Sequence, residues 1–371
     1  MAKVTRIVLT GGPCGGKTTG LAKVEQTLTQ LGYKVIIMEE MATQVMKSGI
    51  NASNCKDFQY LLVMLQKQRD EIYEKILSNF DGKVVILYDR GILDGQAYEG
   101  EEGMLKVLER AGLKKNEVRG YYDAVFHLTT SAIGAREHYT KANNTVRIEN
   151  VDEAVDADYR TLKCWIGHKH LRVIDNENKD FTQKINCLVK EILAFLGEPE
   201  PLEIERKFLI EKPSIEMLKE KAVRVPIFQT YLRNDGSNSE RRIRMIGENG
   251  DYNYYYTEKL PVCNGVRKEI ERKITQYEYL DLLTEADLSL YPVRKTRYCF
   301  VYKNRYYELD IYPFWKNAIL EVELSDINEE VEVPDFINLI KDVTGDSRYN
   351  NINLAKNSLN VPSKIKIKEE Q

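Results

Sequence analysis

Two rhythms of apolar and polar positions divide this chain. In the first half, short β-branched runs alternate with longer stretches of helical character. RIVLT at residues 6–10 reads as a strand, a glycine-rich loop follows, and helix formers run from Thr18 to Leu31 before Gly32 stops them. Lys34–Met38 and Lys83–Tyr88 read as the second and third strands, Ala124–Leu128 as a fourth, and LRVID (171–175) as strand-like. Phe58–Phe80 and Phe181–Leu196 read as helices. Strands alternating with helices predict a parallel α/β sheet covered on both faces.

Past residue 197 the period becomes two. GEPEP (197–201) breaks the preceding helix and reads as a linker, since its two prolines cannot continue a helix. Eight segments then carry strand character: 203–210, 227–233, 239–247, 252–260, 266–275, 293–303, 305–312 and 318–325. Eight such strands predict a closed antiparallel barrel. The predicted organisation is an α/β domain over 1–197, a linker over 198–201, a barrel domain with flanking helices over 202–360 and a mobile charged tail over 361–371.

Residues two apart share a strand face, and in these strands one face is charged. Glu203, Glu205 and Lys207 fall together, as do Arg242 with Arg244, Glu269, Glu271 and Lys273, Lys295 with Arg297, Glu308 with Asp310, and Glu321 with Glu323. One such pair is ordinary on a solvated sheet. Repetition over many strands, with apolar residues such as Ile204, Phe208, Ile243, Leu320 and Val322 between the charges, predicts a charged lumen. The apolar face then packs outward against helices over Glu216–Ala222 and Val333–Val343.

Composition narrows the possibilities. A chain of 371 residues exceeds what one core usually supports, so two domains are expected. Fifty-four Lys plus Arg against 57 Asp plus Glu leave no global field to attract nucleic acid, so any anion site is built locally. The six cysteines are scattered without a CxxC pair, which predicts a reducing, cytoplasmic setting and argues against structural zinc. No membrane span is predicted.

The glycine-rich loop is Gly11-Gly12-Pro13-Cys14-Gly15-Gly16-Lys17-Thr18, a GxxxxGK[ST] pattern between a strand and a helix. Glycine lets backbone N–H groups turn toward phosphate oxygens, and the helix N-terminus adds positive potential. Gly11, Gly12, Gly15, Gly16, Lys17, Thr18 and Thr19 are therefore expected to hold ATP, with Lys17 on the β and γ phosphates and Thr18 on Mg²⁺. Asp89-Arg90-Gly91 ends the third strand at the edge where open α/β sheets bind ligands. Asp89 is expected to hold the metal or accept a substrate proton, and Arg90 to neutralise phosphoryl charge. The plainer reading of both is a turn that caps the next helix. Glu39 and Glu40 reach the same edge, where either could orient substrate or cap a helix. His168 and His170 have no partners at metal-ligand spacing and read as structural.

GGPCGGKTT, DRGILDGQAY (89–98), YDAVFHLTTSA (122–132) and WIGHKHLRVIDN (165–176) give the first 180 residues a resemblance to the P-loop ATPase and kinase group, which includes nicotinamide riboside kinase-like and deoxynucleoside kinase-like domains. The resemblance places REHYTKANNTVR (136–147) where such kinases carry a lid. Arg136 and Arg147 become candidates for γ-phosphate contact, against the alternative of solvated loop residues. Asn176 is a candidate near the base, with loop capping the equal alternative.

In the second half, EIERK resembles the ExExK signature of the CYTH, or triphosphate tunnel metalloenzyme, family. RRIRM (241–245), YTEKL (256–260), RKEIERKIT (267–275), RKTRY (294–298), ELDIY (308–312) and LEVEL (320–324) extend the likeness over roughly 202–356. The resemblance implies Mg²⁺ or Mn²⁺ on Glu203, Glu205, Glu321 and Glu323, with Glu203 and Glu205 catalytic. It implies substrate phosphate contacts from Lys207, Arg242, Arg244, Lys259, Lys295 and Arg297. The run Tyr252–Tyr256 could stack on a base or pack in the barrel wall, where tyrosine is at home.

Three functions follow. The first is an ATP-dependent phosphotransferase fused to a divalent-metal triphosphatase acting on a small phosphorylated molecule. The second is a tunnel that binds polyphosphate, inositol phosphate or a phosphoinositide headgroup without hydrolysis and regulates the P-loop domain. The third is processing of RNA 5′ ends, which the neutral charge balance disfavours.

Overall fold

The computed structural model describes residues 3–134, 151–177, 179–198, 202–233, 239–263, 266–324 and 329–356, with backbone alone described at 202, 203, 261–263, 266 and 267. The chain divides into two compact units, residues 1–195 and 196–371.

The first unit runs β1 (Lys3–Thr10), α1 (Lys17–Gln30), β2 (Lys34–Met38), α2 (Met41–Met46), α3 (Phe58–Leu77), β3 (Lys83–Asp89), α4 (Gln96–Arg110), α5 (Lys115–Tyr121), β4 (Ala124–Leu128), α6 (Val151–Trp165), β5 (Leu171–Ile174) and α7 (Phe181–Leu196), with a 3-10 turn at Ile92–Gly95. Its five strands are parallel in the order β2-β3-β1-β4-β5. Covered on both faces, β3 and β4 have no polar alternation: Val84–Tyr88 and all of β4 are buried. The connections change direction at β1, and the loop after it lies at the crevice this reversal opens.

α1 shows how the sequence sets an element. Gly20, Leu21, Val24 and Leu28 recur at helical spacing and are the residues it buries. Gly32 ends it at φ 84°, a left-handed conformation that glycine adopts freely, while Tyr33 N donates to Leu28 O. Each buried leucine contributes about 1.5–3 kcal/mol, and Leu28→Ala would cost roughly 2–5 kcal/mol.

The second unit runs β6 (Leu202–Glu211), α8 (Ile215–Lys221), β7 (Val223–Tyr231), β8 (Glu240–Glu248), β9 (Asp251–Cys263), β10 (Val266–Ile274), α9 (Gln276–Leu282), β11 (Val293–Tyr302), β12 (Arg305–Ile311), β13 (Asn317–Leu324), β14 (Leu339–Asp342) and α10 (Asn351–Ala355). The antiparallel ladder passes from β10 through β9, β8, β7, β11, β12 and β13 to β6, and β10 pairs back onto β6 at Val266↔Ile204, Arg267↔Glu203 and Lys268↔Leu202. Eight strands thus return on themselves.

The two faces of this sheet differ as their alternation requires. Outside, Phe208, Ile210, Phe300, Leu309, Leu320 and Val322 pack with Leu218 of α8. Ser214 fixes the start of α8 by accepting from Met217 N. Inside, one end is apolar: Leu209, Tyr231, Val293, Tyr312 and Ile319 cluster with Val343, just after β14, and with Ala355 of α10. Tyr254 and Tyr256 pack outward near Tyr279 of α9, while Tyr255, three per cent exposed, alternates inward.

One expected helix is absent. Val333–Val343 is a turn followed by β14, which pairs with β6 at Phe208–Ile210. Pro334 offers no N–H, and β6 beyond its contact with β10 presents unpaired backbone groups that a strand satisfies and a helix does not. The apolar residues still cover the barrel, since Val333, Phe336 and Ile337 pack on its outer cluster.

Candidate functional site

In the first unit the phosphate loop is braced from below. Gly11 has φ 141°, and a Cβ there would stand 2.1 Å from Leu128 O at the end of β4, so no larger residue fits. Gly12 N donates to Asp158 Oδ1 at 2.7 Å, and Asp158 Oδ1 also accepts from Thr130 N at 2.9 Å. Lys17 Nζ lies 3.4 Å from Gly11 O. Burial and the neighbouring Arg90 lower the Lys17 ammonium from its ordinary value, against the pull of Asp89, Glu40 and Asp94. Thr18 and Thr19 are exposed at the start of α1.

Asp89 ends β3 beside this loop with Oδ1 buried and without a hydrogen-bond partner. Burial raises its carboxyl above the usual range while Lys17 and Arg90 oppose the shift. Arg90 adopts φ 68° and pairs through Nε with Glu40 Oε1 at 2.7 Å and through Nη1 with Asp94 Oδ1 at 3.5 Å. Glu40 is thereby a partner of Arg90, with Thr43 Oγ1 donating to its other oxygen at 2.6 Å, while Glu39 accepts from Gln44 Nε2 at 3.0 Å. Asp94 receives Gly91 N at 2.7 Å and the Thr10 hydroxyl.

Asn176 is a brace: its Nδ2 donates to Thr130 O at 2.8 Å and Ile133 O at 2.6 Å, and its Oδ1 accepts from Lys184 Nζ at 2.9 Å. His168 is buried and His170 half-buried within the fold, with His168 Nε2 2.9 Å from Tyr122 O. Arg136 and Arg147 lie outside the described residues.

In the second unit, register puts the predicted charged residues on one interior face. Arg297 is opposite Asp310, Glu308 opposite Glu321, Glu321 opposite Lys207, and Glu269 opposite Lys259. Arg297 donates through Nε and Nη2 to the two oxygens of Asp310 at 2.8 and 2.7 Å and through Nη2 to Glu321 Oε2 at 2.9 Å, and it also meets Glu308. Lys295 Nζ lies 2.5 Å from Asp310 Oδ2, and Lys207 Nζ lies 2.9 Å from Glu321 Oε1 and 3.2 Å from Glu205 Oε1. On the opposite wall Lys259 pairs with Glu269 at 2.8 Å, Arg244 with Glu271, and Arg242 with Glu240 at 3.9 Å.

Burial makes these charges matter. Burial lowers Lys295 to about 8 although Asp310 opposes the shift, and it lowers Arg244 to about 10 with Arg242 adding to the effect. Burial alone would raise Glu321, but Lys207, Lys295 and Arg297 outweigh it and hold the carboxyl well below its usual range. Along β13 the interior passes from buried Ile319 through Glu321 to exposed Glu323, which is opposite Glu205 on β6. Two carboxylates directly opposite on neighbouring strands repel unless a cation lies between them. Their oxygen-only donor chemistry fits a hard divalent ion. Among the described residues no ready-made cluster of three metal-binding side chains occurs. The Glu203 side chain lies outside them.

A protein-family model described as an AAA domain matches residues 6–184. A thymidylate kinase of Mycoplasma capricolum subsp. capricolum is 26% identical over 208 residues, covering 52% of this chain and 97% of that protein. An inorganic triphosphatase of Acetivibrio thermocellus is 34% identical over 161 residues, 42% of this chain and 94% of that protein. The chain is a P-loop kinase-like domain fused to a CYTH triphosphate tunnel domain. A crystal structure of an inorganic triphosphatase, 27% identical, covers 43% of this chain and 97% of its own, with a TM-score of 0.30.

The tunnel domain's interior holds groups that the strand pattern did not single out as site residues, among them Glu240, Gln229, Tyr231 and Thr257. Glu240 was visible as the residue before RRIRM and shares the parity of Arg242. Gln229, Tyr231 and Thr257 carried no charge to flag them. In the P-loop domain the missed residues are Asp94, Asp158 and Thr130. No helix among the described residues is long and apolar enough to cross a membrane.

Proposed function

We propose that the chain joins an ATP-dependent phosphotransferase to a divalent-metal triphosphatase that cleaves tripolyphosphate or a short polyphosphate. The reading rests foremost on the barrel interior, where the buried cations Lys207, Arg242, Lys259 and Lys295 face carboxylates on neighbouring strands. Such a lining is costly to bury for stability alone, and its cations match the oxygens of a phosphate chain.

In the tunnel, Lys207, Lys295, Arg297, Arg242, Arg244 and Lys259 hold the chain and take up the charge that develops on the departing phosphate. Glu203, Glu205, Glu321 and Glu323 would hold Mg²⁺ or Mn²⁺, which polarises phosphorus and activates water. Water attacks a terminal phosphorus, the P–O–P bond breaks, and orthophosphate and pyrophosphate leave. Displacing Glu321 and Glu308 from Arg297 would free its guanidinium for the substrate.

In the P-loop domain, backbone N–H groups of Gly15 to Thr18 and the Lys17 ammonium cradle ATP, and Thr18 would hold its Mg²⁺. Asp89, raised by burial, takes the proton of the acceptor hydroxyl, and Arg90 neutralises charge on the moving phosphoryl group. The acceptor is a small molecule.

Phosphate release from tripolyphosphate with Mg²⁺ or Mn²⁺, beside phosphoryl transfer from γ-labelled ATP to a panel of nucleosides and nucleotides, tests both halves. Turnover of tripolyphosphate that stops when the metal is chelated is the expected result. Tight binding without any phosphate release would replace hydrolysis with a sensing role for the tunnel.

A further inference from the structure

The outer half of the phosphate loop is tied to the rest of its domain by the Asp158 carboxylate, by the Thr130 hydroxyl and by the backbone N–H of Ser131. Asp158, on α6 and three per cent exposed, accepts from Gly12 N at 2.7 Å and from Thr130 N at 2.9 Å through the same oxygen, while its second oxygen lies 3.0 Å from His127 Nε2 on β4. Thr130 then returns to the loop, its hydroxyl donating to Pro13 O. The next residue, Ser131, donates its N–H to Cys14 O at 3.4 Å. Gly12, Pro13 and Cys14 are thus held in succession. The fit leaves no slack, since a Cβ on Gly12 would stand 2.7 Å from Asp158 Cβ.

A buried carboxylate beside a phosphate site is electrostatically adverse to the ligand, so its presence calls for a compensating role. Here the compensation is geometric. Both N–H groups it holds are outside the first turn of α1, whose own N–H groups lack helical partners and are the ones available to phosphate. Lys184 lies within electrostatic reach of Asp158, and its Nζ donates to Thr129 O at 2.5 Å, bracing the residue before Thr130.

We propose that Asp158 is a positioning residue for nucleotide binding: acting through Gly12 and Thr130, it fixes the outer phosphate loop so that the inner N–H groups converge on the phosphates of ATP. This rests on the ATP-dependent reading given above and assigns the geometry of its loop to a residue on a distant helix.

Calorimetric titration of the full chain with ATP and Mg²⁺ tests it, with unfolding scans run beside it. The wild type and Lys17→Ala establish the site. Asp158→Ala, still unfolding cooperatively, is expected to raise the ATP Kd by about tenfold or more, because two charge-assisted bonds are lost. Asp158→Asn keeps an oxygen that accepts the same two N–H groups and is expected to stay within about threefold of wild type. Thr130→Val, which removes only the hydroxyl, is expected to raise the Kd about threefold or more.

Wild-type affinity in Asp158→Ala overturns the proposal, and so does failure of Asp158→Asn to restore binding in a folded protein. Should Asp158→Ala not fold, wild-type affinity in Thr130→Val overturns it. A wild type that does not bind ATP, or a Lys17→Ala protein that binds normally, defeats the ATP reading instead.

Discussion

Asp310→Ala removes the shared counter-ion of two buried cations in the tunnel. Asp310 is fully buried, Lys295 is within 2.5 Å of one of its oxygens, and Arg297 holds both oxygens at 2.7 and 2.8 Å. Taking one partner from a buried ion pair typically costs about 3–5 kcal/mol, because the remaining charge stays desolvated. For a unit of this size each kcal/mol lowers Tm by about 2–4 °C, so the barrel transition should fall by about 6–20 °C. Asp310→Asn, which retains an acceptor oxygen, should lose less. Saturating tripolyphosphate should raise the Tm of the alanine variant more than that of wild type, since phosphate oxygens supply the missing negative charge. Differential scanning calorimetry of the full chain reads all of these shifts. A fall of less than about 2 °C in Asp310→Ala, after the barrel transition has been assigned, would refute the claim that Asp310 is a needed counter-ion, paired with Lys295 and shared with Arg297, which also meets Glu308 and Glu321.

Other perturbations separate the parts of the account. Lys295, held near 8 by burial, is a cation below that pH and neutral above it, so the KM for tripolyphosphate should rise as pH passes about 8, and Lys295→Arg should carry that limb to higher pH. Its ordinary value when unfolded is about 10.4, so between the two values the unfolded chain binds more protons, and this residue's contribution to stability improves as pH rises, measurable as a Tm profile. Glu205→Ala should lower phosphate release from tripolyphosphate at least about a hundredfold while leaving the ATP Kd within error, by paired kinetics and calorimetry. Gly11→Ala should abolish ATP binding, because the new methyl would meet Leu128 O at 2.1 Å and the loop must shift to admit it.

The sequence carried the outline of both units through two local regularities. GxxxxGK[ST] between a strand and a helix announces a phosphate loop because every requirement lies within eight residues. Charge parity on successive strands announces the lumen because a period of two assigns faces without knowledge of the register. Long-range partners had no such signal. Asp158 is 146 positions from Gly12 in the chain, and the two are joined only once α6 has packed in the folded domain.

Apolar content misled the reading of Val333–Val343, because two demands are met by two parts of the segment: Val333, Phe336 and Ile337 cover the barrel from the turn, while the exposed strand Leu339–Asp342 supplies the backbone groups that the edge of β6 requires. Asn176 was legible as polar and well placed, but its amide faces Thr130, Ile133 and Lys184, a commitment that spacing does not encode. Glu40 was correctly brought to the sheet edge, yet its pairing with Arg90 depends on two strands meeting there.

The account's central claim is that two phosphate sites of different construction occupy one polypeptide. It is tested most directly by measuring phosphate release from tripolyphosphate and ATP affinity in both Lys17→Ala and Glu321→Gln. The account predicts that Lys17→Ala loses ATP and keeps tripolyphosphate turnover, and that Glu321→Gln keeps ATP and loses turnover. Loss of both properties in either folded variant, or retention of tripolyphosphate turnover in Glu321→Gln, would contradict it.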